Sequence, residues 1–203
     1  MSPGLTMERV YDALKTHLMS GALLPRQRLD PARLAVELNT STTPVRDALH
    51  RLMGERLVEG WPHEGFHVPA VSESRLRNLY TWNQTLLVTS LKLRAASNAA
   101  LPEQAPGPGA PDIPHAVAQL FAELGHRAGN EEWHAAIINT GDRLHAVRHA
   151  EAHVFDDVEL EFRALSAARR NLQGAPLHQA IARYHRRRIR AVAAICSACG
   201  QAR

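Results

Sequence analysis

The stretch from Leu34 to Val68 constrains the fold of this chain more than any other. Leu34, Ala35 and Leu38 recur at helical spacing. Asn39, Thr40 and Ser41 break the pattern, and the hydroxyls of Ser41 and Thr42 are placed to cap a following helix. Pro44 suits the first turn of that helix, where a missing N–H costs nothing. Val45, Leu49, Leu52 and Met53 then form one apolar face, leaving Arg46, His50 and Arg51 off it. Two short runs, 57–61 and 66–68, flank Pro62, His63, Glu64 and Gly65 and can pair as a β-ribbon. Upstream, an amphipathic helix over 7–20 carries Val10, Leu14 and Leu18 on one face and ends at Gly21, and Asp30-Pro31 opens the next helix. Three helices and a ribbon in this order make a winged helix-turn-helix whose last helix reads DNA.

Charge alone does not carry that conclusion. The 203 residues have a net charge of +4, which permits a nucleic-acid partner. However, residues 1–71 hold eight Lys/Arg against eight Asp/Glu, so the excess lies in the second half. DNA binding therefore rests on the motif and on where its arginines point.

The motifs resemble the DNA-binding domain of the GntR family of bacterial transcription regulators. The resemblance runs from about Val10 to Val68. It is carried by G-A-L-L-P-R-Q-R-L, L-A-V-E-L-N, S-T-T-P-V-R-D-A-L-H-R-L and E-G-F-H-V in that order. It implies a role for Arg46 on the reader helix, where a guanidinium suits phosphate or the O6 and N7 edge of guanine. Ser41, Thr42 and Thr43 open the helix towards phosphate. Thr42 stands where the family usually has arginine, so the operator sequence of relatives does not transfer. Arg33 is a candidate backbone contact, His50 lies off the apolar face, and Glu64 with Gly65 forms the wing tip. His63 and His67 are candidate phosphate contacts beside it.

The expected fold is mainly α: a winged helix over 1–70, then an all-α bundle over 71–203. Its helices are expected at about 72–100, from 115 into the 150s with a break near Gly129-Asn130, at 156–172 and at 175–199. Residues 101–114, with five prolines and two glycines, read as a loop. This half resembles the helical effector domain of the FadR-type branch, shortened at its end. That branch often binds a metal through an acidic residue and three histidines. At the corresponding place this chain has Glu159, Phe162 and Arg163, with arginine replacing a ligand histidine. The expectation is a metal-free effector pocket with no cofactor, holding Arg163, Glu159 and His149. Arg163 would pair with Glu159 until an anionic effector, such as an organic acid, competes for it.

Two other patterns compete with that expectation. His145, His149 and His153 recur every four residues, and a pair at that spacing can share zinc. A polar stripe is the plainer reading. Cys196 and Cys199 form a C-x-x-C at the wrong end of a helix for thiol chemistry, so packing is the simpler role. Most of the arginines between Arg183 and Arg190 read as a solvated face opposite Asp156, Asp157, Glu159 and Glu161, while an inward one could hold an anionic effector such as an organic acid.

No apolar run reaches the roughly 18 residues of a membrane span, and the first residues lack a signal-peptide pattern. The sequence thus points to a cytoplasmic homodimer that binds operator DNA and a small-molecule effector, with no membrane partner. A constitutive DNA-binding dimer is one alternative, and a His-rich metal-dependent enzyme is another. No nucleophile–base motif, phosphate-cradling glycine loop or H-E-x-x-H supports the enzyme.

Overall fold

The computed structural model describes residues 3–93, 112–169 and 175–201. Helix α1 (Pro3–Met19) leads to strand β1 (Arg28–Leu29), α2 (Pro31–Glu37), α3 (Thr42–Gly54), β2 (Glu59–Trp61) and β3 (Gly65–His67). Six helices follow: α4 (Glu73–Leu93), α5 (Ile113–His126), α6 (Glu131–Glu151), α7 (Val158–Arg169), α8 (Ala175–Arg190) and α9 (Val192–Gln201). The chain is mainly helical, a winged helix-turn-helix followed by a helical domain.

The apolar stripes of the three N-terminal helices meet in one core. Val10, Leu14 and Leu18 of α1 pack with Leu34 and Ala35 of α2, and with Val45, Ala48, Leu49 and Leu52 of α3. Each large side chain buried there contributes about 1.5–3 kcal/mol. Phe66 closes this core from the wing. The antiparallel sheet has the order β1-β3-β2, with Gly60 opposite Phe66 and Arg28 opposite His67. Strand β1 is not apparent from sequence, because two residues show no periodicity. It is recruited by the returning wing, through Arg26 N–H donating to Val68 C=O at 3.0 Å and Val68 N–H to Gln27 C=O at 2.9 Å.

Several boundaries differ from the sequence expectation. Asp30 caps α2 through the Ala32 N–H at 2.8 Å, but Ser41 at the N-cap of α3 makes no side-chain cap bond. Its side chain is exposed. The loop expected to run to Pro114 gives way to helix at Ile113, because Asp112 caps α5 and Pro114 fits its first turn. Residues 94–111 and 170–174, where parts of the expected α4, the loop and α7 fall, lie outside the described residues. The single helix expected over 175–199 breaks at Ala191, whose N–H is shared between the carbonyls of Arg187 and Arg188.

The helical domain has two cores. One gathers Leu86, Leu87, Phe121, Leu124, Ile137, Leu165, Leu177, Ile181 and Tyr184. The other gathers Leu76, Tyr80, Leu144, Val147, Phe155, Val192 and Ile195. Helices α4 and α6 run through both. Helix α6 also touches the winged helix: Asp142 pairs with Lys15 at 2.7 Å, and Asn139 Nδ2 donates to the Glu55 carbonyl at 2.8 Å, just past the end of α3. Burial works against the Lys15 charge, yet its hydrogen bond to Asp142 holds the ammonium firmly protonated. Among the described residues, no helix is long and apolar enough to cross a membrane.

Candidate nucleic-acid interface and helical-domain cavity

Helix α3 is anchored from behind and free in front. Val45, Ala48, Leu49 and Leu52 are wholly buried. Arg51 lies over the Tyr11 ring at 3.8 Å and pairs with Glu8 at 2.9 Å, tying α3 to α1. On the opposite side Ser41, Thr42, Thr43, Arg46 and His50 are exposed. Among the described residues Arg46 makes no ion pair, so its guanidinium is available to an external acceptor. The His50 ring meets Phe66 edge-on at 5.0 Å, which sets α3 against the wing. Arg33 is exposed on α2 but pairs with Glu37 at 3.3 Å, and must leave that pair to reach phosphate.

The wing turn is closed by the Glu64 N–H donating to the Trp61 carbonyl at 3.1 Å. His63 and Gly65 both have positive φ, 63° and 83°. Glycine takes that conformation without strain, and nothing lies near the place a Cβ would occupy on Gly65. Glu64 and Gly65 are exposed at the tip. His67 is not available to phosphate, since it is only 5% exposed and stacks on Trp61 at 4.3 Å. Strand alternation puts it on the face opposite Phe66, where the Trp61 ring covers it. Arg28, opposite His67 on β1, is an exposed cation that sequence reasoning did not single out.

The helical domain encloses a cavity of about 310 Å³. Glu159 and His149 are on its wall, but Arg163 is not. Arg163 pairs with Glu159 at 3.5 Å on the outer surface, its side chain 72% exposed. The reason is helical geometry: Phe162 faces the cavity, and the next residue is rotated about 100° away. The cations that do line it are Arg148 and Arg188.

Arg188 does not belong to a solvated face. It is 2% exposed, donates from Nε to Glu151 and from Nη1 to Glu161, both at 2.8 Å, and sits over the Tyr184 ring at 3.3 Å. Tyr80 donates to the other Glu151 oxygen at 2.5 Å. Arg187 pairs with Asp157 and Glu161, extending the network to the surface. A signal for Arg188 was present in the sequence, because Leu177, Ile181, Tyr184 and Arg188 share one helical stripe.

Arg148 is 3% exposed and its environment is different. Nη1 donates to the Gly141 carbonyl at 3.1 Å and the guanidinium lies 5.8 Å from the Phe121 ring centre, but among the described residues Nε and Nη2 have no hydrogen-bond partner. No carboxylate pairs with Arg148 among the described residues. Buried donors without partners are costly, so this guanidinium is poised to take an acceptor from a ligand.

The histidines do not form a metal site among the described residues, where no group of three potential ligands occurs. His145 is buried and 5.4 Å from the His149 ring, whereas His153 is exposed. Burial, helped by Arg148, pushes His145 down to about 4. His185 is fully buried against Asn83 and Ile181, and burial pushes it down to about 3. Both rings are neutral near pH 7. Cys199 is buried, which pushes its thiol up to about 11, the opposite of what a reactive thiolate needs.

An anchored α3, an outward Arg46 with no ion pair among the described residues and a β-wing beside it make a winged helix-turn-helix. Residues 6–68 match the model of the bacterial regulatory proteins of the gntR family. Over 72 residues the chain is 42% identical to the HTH-type transcriptional regulator McbR of Escherichia coli strain K12. That stretch is 36% of this chain and 32% of McbR, so the chain matches about a third of the curated relative's length. The fold as a whole is like that of E. coli McbR/YncC, with a TM-score of 0.69 and 20% identity over 93% of this chain and 97% of that one. It is also like a GntR transcriptional regulator from Rhodococcus sp. RHA1, with a TM-score of 0.67 and 16% identity over 97% and 99%. Both relatives are named as transcriptional regulators.

Proposed function

We propose that this chain is a GntR-type transcription regulator, with a winged helix over 1–70 that binds operator DNA and a helical domain over 71–203 that senses a small molecule. The observation that carries DNA binding is the exposed, unpaired Arg46 on an α3 whose opposite face is wholly buried. The domain is read as a FadR-type effector domain. Two copies would place two reader helices in successive major grooves of a near-palindrome. Trp82, 47% exposed, and Leu93, 45% exposed, lie three turns apart on one stripe of α4 and favour the homodimer. Arg46→Ala is expected to weaken operator binding by about 1–3 kcal/mol with an unchanged melting temperature. A salt-controlled mobility shift with unaltered affinity would remove Arg46 from the interface.

The effector is read as an organic acid held in the helical-domain cavity. Support comes from the unpartnered Nε and Nη2 of Arg148 and from the Tyr184 hydroxyl beside them. Glu159 and His149 are wall residues in this reading, and Arg163 acts from outside by holding Glu159. At about a hundredfold its Kd, such an acid stabilises the fold by about 2.7 kcal/mol and raises Tm by roughly 5–11 °C. In a thermal screen of small carboxylates, Arg148→Met should lose the shift while still binding operator. A variant that responds like the parent would sink this assignment, and a parent that responds to none would favour a constitutive dimer.

A further inference from the structure

A second hollow lies where the two domains meet, and its chemistry differs from that of the cavity above. It measures about 170 Å³. Leu57 and Val68 of the winged helix, Leu76 and Leu79 of α4, and Val147 of α6 give it apolar walls. Three arginines line it as well: Arg56, directly after α3, Arg75 at the start of α4, and Arg143 on α6. Burial pulls the Arg143 pKa down, and the positive charges of Arg56 and Arg75 pull it further, so the three guanidiniums feel one another. Like charges brought together at a partly desolvated place need a counter-charge.

The protein supplies too few. Arg75 pairs with Glu59 at 2.5 Å. Asp142, the carboxylate in this wall, is taken by Lys15 at 2.7 Å. Among the described residues Arg56 and Arg143 make no ion pair. Arg56 is also held at a φ of 61°, a region that L residues other than asparagine and aspartate seldom adopt. The backbone thus spends strain to direct the chain at this point, beside the joint.

We infer that this interdomain cleft binds a short amphiphilic anion, its apolar chain in the hollow and its carboxylate or phosphate head on Arg56 and Arg143. Domain interfaces are favoured places for such sites, and this volume suits a small ligand. Arg56 belongs to the winged helix and Arg143 to the helical domain, so the bound anion would join them directly. Its occupancy would restrict how the reader helix sits relative to α6. This site goes beyond the effector cavity of Arg148 and does not depend on it.

The test is isothermal titration of the full chain with hexanoate, hexyl phosphate, hexanol and inorganic phosphate. One or both amphiphilic anions should bind, and which one does assigns the head group. Hexanol and inorganic phosphate, each lacking half of the ligand, should bind at least about tenfold more weakly. Arg143→Gln and Arg56→Asn, the latter chosen to tolerate the positive φ, should each weaken binding about tenfold or more. The same titrations in Arg148→Met, whose helical-domain cavity no longer holds a carboxylate, should keep the binding that belongs to the cleft. Binding of neither anion would overturn the proposal, as would hexanol binding as tightly as hexanoate. Affinity lost in Arg148→Met but kept in both cleft variants would also overturn it, by placing the ligand in the helical-domain cavity. Should Arg143→Gln fail to fold, the exposed Arg56→Asn carries the same test.

Discussion

Arg188→Met is expected to cost about 3–5 kcal/mol of unfolding free energy. Arg188 is the hub of a buried network that joins α4, α6, α7 and α8 through Tyr80, Glu151 and Glu161. Glu151 is 2% exposed. With the arginine gone, its carboxylate would stay buried with only the Tyr80 hydroxyl beside it. The cost is that of an uncompensated charge, not of the lost attraction alone. Adding Glu151→Gln to Arg188→Met removes that charge and should restore a large part of the loss, a non-additivity that a double-mutant cycle reads directly. Urea unfolding of the four proteins is the measurement. A single-variant loss under about 1 kcal/mol would mean that Glu151 is neutral or hydrated without its partner.

Leu49→Ala should cost about 2–5 kcal/mol, and the damage should fall on the DNA-reading half. Leu49 is wholly buried in the core that α1, α2 and α3 share, and its removal leaves a cavity under the reader helix. The winged-helix core is small, so one lost leucine is a large share of its stability. Amide exchange should accelerate in α1 to α3 and change little in the core around Phe121 and Ile181. Operator binding would fall because the reader is no longer held. Arg46→Ala should behave in the opposite way, with binding lost and exchange unchanged. If exchange accelerates equally in both halves, contacts such as Lys15–Asp142, Asn139–Glu55 and Arg75–Glu59 couple the domains into one cooperative unit.

The winged helix was legible in the sequence because its signals are local. Apolar spacing, the Asp30-Pro31 cap and the glycine at the wing act within a few residues, and each agrees with its neighbours. Arg46 could be placed outside the core on helical period alone. Strand β1 could not, since its two residues gain their structure from hydrogen bonds to a segment some forty positions later. The same limit applies to the helical domain. Periodicity put Arg188 on an apolar stripe, but a charge there is tolerable only if carboxylates from other helices come to meet it. Glu151 lies 37 positions away in the chain, and Tyr80 is 71 from Glu151. Arg163 and Arg148 show the reverse. A local i−4 partner made Arg163 look like the pocket cation, while the side chain that reaches the cavity without a carboxylate is Arg148. Helical period decides which way a side chain points from its own axis. Which charges are paired, and which are left for a ligand, is decided only when helices distant in sequence pack and water is excluded between them.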